Sequence, residues 1–529
     1  MEKRIERSSV LWAAGFGLLA AFLLWSWFFG EQPLGLNVPL TVVLFYCAAL
    51  GALRGRSLSL RRGHNWLLLL LNGAFCATFA LFNNGLLLFF NALAILTLTA
   101  LQLCLMADLS IAPDFRSQAG DVLHYIFVRP FCRIGKAYQA AFAPRAEGRR
   151  RVLPGVLLGL AIAIPAIALL ALLLSAADAV FAQLLQDLFD SASIGNVFLY
   201  LLLFAAIFTL GGSLLYSLAE GQRRTPASAA PAKERPRRSL IPYYVILGSV
   251  SAVLLVFSAV QLLYFFGGST LPQGMTYAEY ARSGFFQMFA AAAIVFSAVA
   301  LILKLLPERN LAVKVLLTVM TVAVLIMLAS TFQRLVLYEQ AFRFTRLRLY
   351  VQAFTIMLFV VTVLVTVAVW RGRLPLGKPV FAVAMVFLLA LSYFNVDGFI
   401  GRQNSQVFSG ETIDLADEEQ REALAYLLTL SEDAAPYYLT KLDAADLAYH
   451  PSDLHWNQTQ TVAVRKVYHM GQEGDFRSWN LGRAQAAALL TPELSVNAEK
   501  TYEELNLRYM DGPLARWVCY SDGSFTPCS

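Results

Sequence analysis

The feature that most limits how this chain can fold is its succession of long apolar runs. A helix rises 1.5 Å per residue, so about 20 apolar residues cross the hydrocarbon core of a bilayer. Val152–Ala177 and Ser239–Ala278 contain no Lys, Arg, Asp or Glu at all. Reading every such run gives about eleven expected spans. They lie at 10–29, 36–53, 65–82, 86–106, 153–174, 197–218, 243–266, 285–306, 313–333, 349–370 and 379–394. The first is too long for a cleaved signal peptide, and "SWFFGEQ" has no small-residue cleavage site, so it is expected to stay as an anchor. Composition agrees: the chain is 58% hydrophobic and 15% charged, whereas soluble domains run at about 45–50% and 25%.

Charge divides the chain near Asn395. Residues 1–394 carry 32 Lys/Arg against 15 Asp/Glu, and residues 395–529 carry 10 against 20. An apolar body of +17 is thus followed by an acidic tail of −10. The cations lie between apolar runs, at headgroup depth, which argues for lipid and against nucleic acid. Basic loops also alternate with neutral or acidic ones. Lys3, Arg4 and Arg7 precede the first span, and Arg54, Arg56, Arg61 and Arg62 follow the second. Residues 107–152 hold eight cations and "GQRRTPASAAPAKERPRRS" holds six, while "GEQPLGLN" and "NNG" hold none. This bias places the N-terminus in the cytoplasm and, with an odd number of spans, the tail outside.

The expected organisation is a six-span membrane region, 1–218, and a basic Pro/Ala-rich cytoplasmic linker, 219–240. A five-span region, 241–394, and an acidic extracytoplasmic domain, 395–529, follow. "ADAVFAQLLQDLF" has the spacing of an interfacial helix, and "DVLHYIFVRPFCRIGKAYQAAF" should lie on the inner leaflet, broken at Pro130. In the tail, "DEEQREALAYLLTLS" shows helical spacing at Leu424, Leu427 and Leu428, and "NLGRAQAAALL" and "AEKTYEELNLRY" are further helix candidates. "TVAVRKVY" and "RWVCYSDGSF" are the strand candidates, the second around an Asp-Gly turn. The fold class is therefore an all-α polytopic membrane protein with a small, mainly helical C-terminal domain.

Polar residues gather at the outer ends of the later spans. "RLVLYEQAFRFTRLR" breaks the charge rule by placing Arg334, Arg343, Arg346 and Arg348 outside, together with Tyr338. "MTYAEYARSGFF" adds Tyr277, Glu279, Tyr280 and Arg282, with Gly284 allowing close backbone approach. "SYFNVDGFIGRQN" ends the last span with Asn395, Asp397 and Asn404. Next to lipid a carboxylate favours a cationic partner, and Arg348 or Arg282 is the expected partner of Asp397. The candidate set is Tyr280, Arg282, Tyr338, Arg348, Tyr350, Asn395, Asp397 and Asn404, serving either as a clamp for the tail or as a ligand site.

These segments resemble a family of bacterial multi-pass membrane proteins described only by a domain of unknown function. The matching pattern is Y-A-x-Y-A-R-x-G-F at Tyr277, Tyr280, Arg282, Gly284 and Phe285. It continues with T-x-L-R-x-Y at Thr345, Leu347, Arg348 and Tyr350, then N-x-D-x-x-I-x-x-x-N at Asn395, Asp397, Ile400 and Asn404. Phe344 departs from it, standing where glycine is expected. The resemblance covers roughly 150–490 and implies a bacterial multi-pass membrane protein, but no activity, cofactor or catalytic residue; the expected location is the inner membrane.

Enzyme signatures are weak. Polytopic sugar transferases that use lipid-linked donors have a long first outer loop with paired acids; here it is "GEQPLGLN", with Glu31 alone. His450, His455 and His469 lack the spacing of a zinc site, and no G-x-S-x-G elbow or phosphate loop occurs. The centres of the spans lack the charges a coupled transporter uses; Asn72, Asn91 and Gln261 suit helix–helix hydrogen bonds, and Pro165 a kink. Cys47, Cys76, Cys104 and Cys132 should be reduced thiols, whereas Cys519 and Cys528 in the outward tail should form a disulfide. The leading functional expectation is a non-enzymatic envelope sensor or interaction protein. The alternative is an enzyme or transporter for an anionic lipid or lipid-linked substrate at the outer leaflet. The expected partners are membrane lipids, including an anionic lipid, or an envelope protein; no cofactor and no metal is expected.

Overall fold

The computed structural model describes residues 2–29, 33–52, 63–106, 115–142, 192–220, 241–266, 294–296, 298–299, 302, 310–371, 376–449, 456–472, 474–505, 518–521 and 524–527. It is a helical membrane protein. Among the described residues, Gly85–Met106, Leu199–Leu218, Leu311–Glu339 and Arg346–Arg371 are long and apolar enough to cross a bilayer. Gly377–Tyr393 and Val396–Val407, bent by 45° at their junction, pass the same test together. Trp12–Trp25, Asn37–Ala52, Asn65–Leu81 and Leu247–Ala259 are shorter apolar helices. The expected span at 153–174, most of that at 285–306, and the interfacial helix at 177–189 lie outside the described residues.

The chain forms two compact units. The first comprises Met1–Phe82, Leu88–Pro231 and Glu473–Leu481. It contains α1 (Glu2–Phe29), α2 (Asn37–Ala52), α3 (Gly63–Leu81), most of α4 (Gly85–Met106), α5 (Phe115–Leu123), α6 (Arg129–Phe142) and α7 (Ala192–Glu220). Lipid gives no hydrophobic drive for helix association, so small residues that allow close approach carry it. At the α1–α7 contact, a Cβ on Gly17 would meet Phe208 at 3.3 Å, and one on Gly212 would meet Ala13 at 3.4 Å. Buried amides add directional contacts. Asn72 Nδ2 donates to the Tyr46 hydroxyl (2.8 Å) and to Thr99 Oγ1 (2.7 Å), and Asn91 Nδ2 donates to Thr78 Oγ1 (2.9 Å).

The 121–142 segment is not broken at Pro130. The helix continues through a π-helical turn, His124–Val128, bounded by residues in ordinary helical conformation. Proline lacks the N–H that an α-helix would donate to residue 126 and crowds that carbonyl. The wider turn immediately before it, with Arg129 N–H bonded to the His124 carbonyl, accommodates the ring without ending the helix.

The second unit comprises Asn83–Leu87, Ala232–Gln472 and Gly482–Ser529. Its apolar helices are α8 (Ile241–Phe266), α9 (Leu311–Phe342), α10 (Arg346–Arg371) and α11 (Gly377–Tyr393). Leu247 and Leu254 of α8, Leu317, Met320, Val324 and Met327 of α9, and Val365 and Val369 of α10 form one buried cluster. Val253, Val256, Val322, Phe359 and Val367 on the same helices stay exposed, as helices solvated by lipid require. The tail adds α12 (Val396–Asn404), α13 (Glu418–Leu428), α14 (Gln458–Gly471), α15 (Leu481–Ala488) and α16 (Pro492–Glu504). Its core of Ile400, Leu424, Leu427, Tyr438, Leu447, Val464, Val467 and Tyr502 is continuous with Leu349 of α10 and Leu87.

The "RWVCYSDGSF" expectation is met by an antiparallel pair, β1 (Val518–Ser521) and β2 (Ser524–Pro527), with Cys519 opposite Thr526. The proposed disulfide itself falls outside the described residues, since Cys528 is not among them. "TVAVRKVY" is a correction: it lies within helix α14. Two local effects outweigh its β-branched content. Asn457 and Gln460 form a reciprocal capping box, and Ala463, Val464, Val467 and Met470 bury one face at helical spacing. Asn457→Ala is expected to cost about 1 kcal/mol of stability. Thermal unfolding in detergent measures it, and hydrogen exchange should show the loss of protection concentrated in the first turn of α14.

Candidate functional site

The junction of α11 and α12 builds the polar centre. Asn395 sits in the left-handed region (φ 50°, ψ 69°), a conformation that asparagine tolerates better than most residues, and its side chain accepts the Gly398 N–H at 3.0 Å. A Cβ on Gly398 would meet the Asn395 amide at 2.7 Å, and one on Gly401 would meet the Tyr437 ring at 2.7 Å. This cap starts α12 and directs Asp397, at its first turn, into the protein.

Asp397 has no solvent exposure. Arg346 grips it with both edges of its fork, Nε to Oδ1 at 2.7 Å and Nη2 to Oδ2 at 2.5 Å. Asn84 Nδ2 also donates to Oδ1 (3.0 Å), and Ser431 gives Oδ2 both its hydroxyl (2.6 Å) and its backbone N–H (3.1 Å). Each carboxylate oxygen therefore has at least two donors. The donors are themselves held: the Asn84 carbonyl oxygen accepts from the Tyr350 hydroxyl (2.9 Å) and Leu87 N–H (3.2 Å). Arg346 gives its remaining Nη1 to the Thr429 carbonyl at 3.2 Å, and its backbone N–H to the Tyr426 hydroxyl at 2.9 Å.

A second buried acid, Asp433, adjoins the first. Its Oδ2 accepts the Asn83 N–H at 2.8 Å and lies 3.2 Å from the Ser431 hydroxyl, which thus stands between two carboxylates. Burial, reinforced by the charge of Asp397, raises the Asp433 carboxyl to about 6. Lys466 satisfies the carbonyls that end α13, donating to Leu428 O at 2.8 Å and to Leu430 O. Burial lowers that amine to about 8.

The turn between α9 and α10 is fixed by the same motifs. Arg343 adopts φ 65°, ψ 172°, a region that is otherwise almost confined to glycine. Its guanidinium pairs with Glu419, and its carbonyl accepts from Arg348. The Asn404 side chain binds both backbone groups of Phe344, accepting its N–H (3.2 Å) and donating to its carbonyl (2.9 Å). Arg348 also donates to the Phe342 carbonyl (2.9 Å) and lies 4.1 Å above the Tyr338 ring.

The structure thus gathers Tyr350, Asn395, Asp397 and Asn404 around one centre, and Tyr338 with Arg348 beside it at the turn. Tyr280 and Arg282 lie outside the described residues. The expected partner of Asp397 is corrected: Arg346, not Arg348, holds it, because Arg348 is turned toward the carbonyls of 342 and 343. Sequence reading included Arg346 among the anomalous outer arginines but did not single it out. It missed Asn84, Ser431 and Asp433; the available signals were the paired amides of "NNG" at the end of an apolar run and the acids of "SEDAAPYY". Among the described residues, no group of three or more His, Cys, Asp or Glu side chains has the arrangement to hold a metal ion.

With a helical membrane body joined to this network, the class is a multi-pass membrane protein whose polar residues bind one another. Residues 68–440 match the family described as a domain of unknown function (DUF4153), and the chain belongs to that family. The match begins ahead of the 150–490 stretch that carries the motif resemblance and ends within the tail. No curated protein and no solved structure matches the chain.

Two predictions follow from the geometry. Arg346 is one-third exposed and Asp397 is not exposed at all. Arg346→Ala strands a buried carboxylate and should cost about 3–5 kcal/mol. Asp397→Ala releases an arginine that can reach water and should cost less. The double variant should match Asp397→Ala rather than the sum, and Arg348→Ala should be additive with Asp397→Ala within about 0.5 kcal/mol. Thermal unfolding in detergent completes both cycles.

The second concerns pH. A carboxyl raised from its ordinary value to about 6 binds its proton more tightly folded than unfolded. Its contribution to stability is therefore full below about pH 4, falls as pH rises to 6, and is constant above that. The charges of Asp397, Glu432 and Arg483 face it and remain in a variant that changes Asp433 alone. Asp433→Asn should remove a pH-dependent difference on the order of 2 kcal/mol between pH 4 and 7. The measurement is the melting temperature of both proteins across that range.

Proposed function

We propose that this is a non-enzymatic envelope sensor or interaction protein of the bacterial inner membrane. In this reading it has eleven spans, a cytoplasmic N-terminus and an outward acidic tail. The Tyr/Arg/Asp/Asn cluster serves as the clamp that fastens the tail to the ends of α10 and α11. The observation that carries the reading is the saturation of Asp397. Five donors, all from the protein, occupy an unexposed carboxylate, and the neighbouring Arg348 is spent on turn carbonyls and a ring face. A site for an anionic headgroup needs cations with donors to spare; Arg346 and Arg348 use theirs internally. The charge alternation of the loops supports the orientation, and the apolar runs support the count.

The test has two arms. A reporter active only in the cytoplasm should work when inserted at 226–232 and fail when fused after Ser529; activity at the C-terminus would overturn the orientation. Native mass spectrometry of protein released from membranes tests the role of the cluster. A phosphate-bearing lipid retained by the natural chain and lost from Arg348→Ala would favour the enzyme or transporter reading. Equal lipid content in the two, with a protein partner co-purifying with both, is the expected result.

A further inference from the structure

The short stretch "GDFRSWNL", residues 474–481, comes from the acidic tail, yet it packs within the first unit, against the ends of apolar helices. Its backbone is seated by buried polar contacts. Asn480, 1% exposed, donates to the Phe79 and Phe82 carbonyls at 2.8 and 2.9 Å, capping the end of α3. The Trp479 carbonyl accepts the Leu36 N–H at 3.0 Å, at the start of α2. Gly35 is required there, since a Cβ would meet the Ser478 and Trp479 carbonyls at 2.5 Å. Arg477 donates to the Phe22 carbonyl at 2.6 Å and lies 4.8 Å over the Phe22 ring.

Phe22 sets the depth. It precedes the end of α1 at Phe29 by about two turns, which is about 10 Å along the helix. Trp25, paired with Tyr200 at 5.8 Å, and the exposed Trp27 lie nearer that end, where an aromatic belt marks the headgroup level. Phe476, 6.5 Å from Phe22, therefore lies at the level of the belt or deeper. It is nonetheless 59% exposed, as Trp479 is 46% exposed, although the backbone carrying them is fixed.

We infer that residues 474–481 form a monotopic insertion, a tail loop that dips Phe476 and Trp479 into the outer boundary of the bilayer. Its partner is the apolar acyl region and not an anionic headgroup. The one cation of the loop is already neutralised by Asp475, through its Nε at 2.7 Å and its Nη2, and that arginine is only 14% exposed. Apolar side chains placed about 5–10 Å into the interface hold such elements by burial alone.

Collision-accessibility electron paramagnetic resonance tests this in phosphatidylcholine vesicles. Nitroxides are attached at Phe476→Cys or Trp479→Cys, with the natural cysteines replaced by serine. Both labels should collide more with oxygen, which concentrates in the acyl region, than with a water-soluble nickel chelate. A label at Val462→Cys, exposed on α14, should show the reverse order. Greater access to the chelate at 476 and 479, or access to neither reagent, would overturn the insertion. Raising phosphatidylglycerol to about 40% should leave the values unchanged; a marked deepening would assign the loop to headgroup charge instead. A second measurement keeps all cysteines: Trp479→Phe should lose a component of fluorescence that brominated phosphatidylcholine quenches in the natural chain. An unchanged quenched fraction would count against the proposal.

Discussion

A carboxylate with no access to water must find every compensating contact inside the protein, and Asp397 organises the second unit on that account. Removing such a charge from water costs several kcal/mol, so a single ion pair is not enough. Arginine suits the task better than lysine because its fork meets both oxygens and keeps one nitrogen for the Thr429 carbonyl. The position of Asp397 also matters. It lies in the first turn of α12, where free backbone N–H groups favour negative charge, and Arg346 opens α10. The left-handed Asn395 makes this possible by ending α11 and restarting the chain at an angle. One bent junction, one acid and one arginine thus fix where the tail begins.

The turn between α9 and α10 depends on that arrangement in a second way. Arg343 is held in a backbone region that costs on the order of 1–3 kcal/mol for a residue with a side chain. Three contacts from different elements retain it: Glu419 on its guanidinium, Arg348 on its carbonyl, and the Asn404 amide on the next residue. The strain at Arg343 is borne by side-chain contacts. Asn404 and Arg348, which look like ligand-binding residues in a motif, act on backbone groups.

Much of this could be read in advance, and what could not has a common cause. Apolar runs and terminal signals depend on near neighbours. Hence α4, α7, α9 and α10 fall where composition places them, and α13 shows its buried Leu424, Leu427 and Leu428 in the spacing of the sequence. The amides Asn72 and Asn91 were similarly legible, because a polar group in lipid has few uses other than a neighbouring helix. Partner choice was not legible. Arg346 and Arg348 are two residues apart on one helix and point in different directions, and only the packed structure decides which of them meets Asp397. Asn84 lies 313 positions from Asp397, so no local pattern joins them. "TVAVRKVY" misled for the opposite reason: β-branched residues suit strands, but here the cap and a buried face on one side outweigh that weak preference.

The tail sequence meets membrane segments through two kinds of contact, and both avoid leaving a free charge. The acids that reach these contacts are paired: Asp397 with Arg346, Glu419 with Arg343, Asp475 with Arg477. Neutral amides, Asn84, Asn404 and Asn480, add links that bind backbone or side-chain groups without adding charge. This follows from the tail's composition. A tail of −10 gains from contacts that pair its acids and from links that add no further charge. Asp433 departs from the pattern, and the departure is informative. It has a backbone N–H and a shared hydroxyl where the others have a guanidinium, and burial makes it take up a proton more readily than an ordinary carboxylate. The surplus carboxylates, Glu411, Asp414, Glu418 and Glu422 among them, stay exposed, where water meets the cost of their charge.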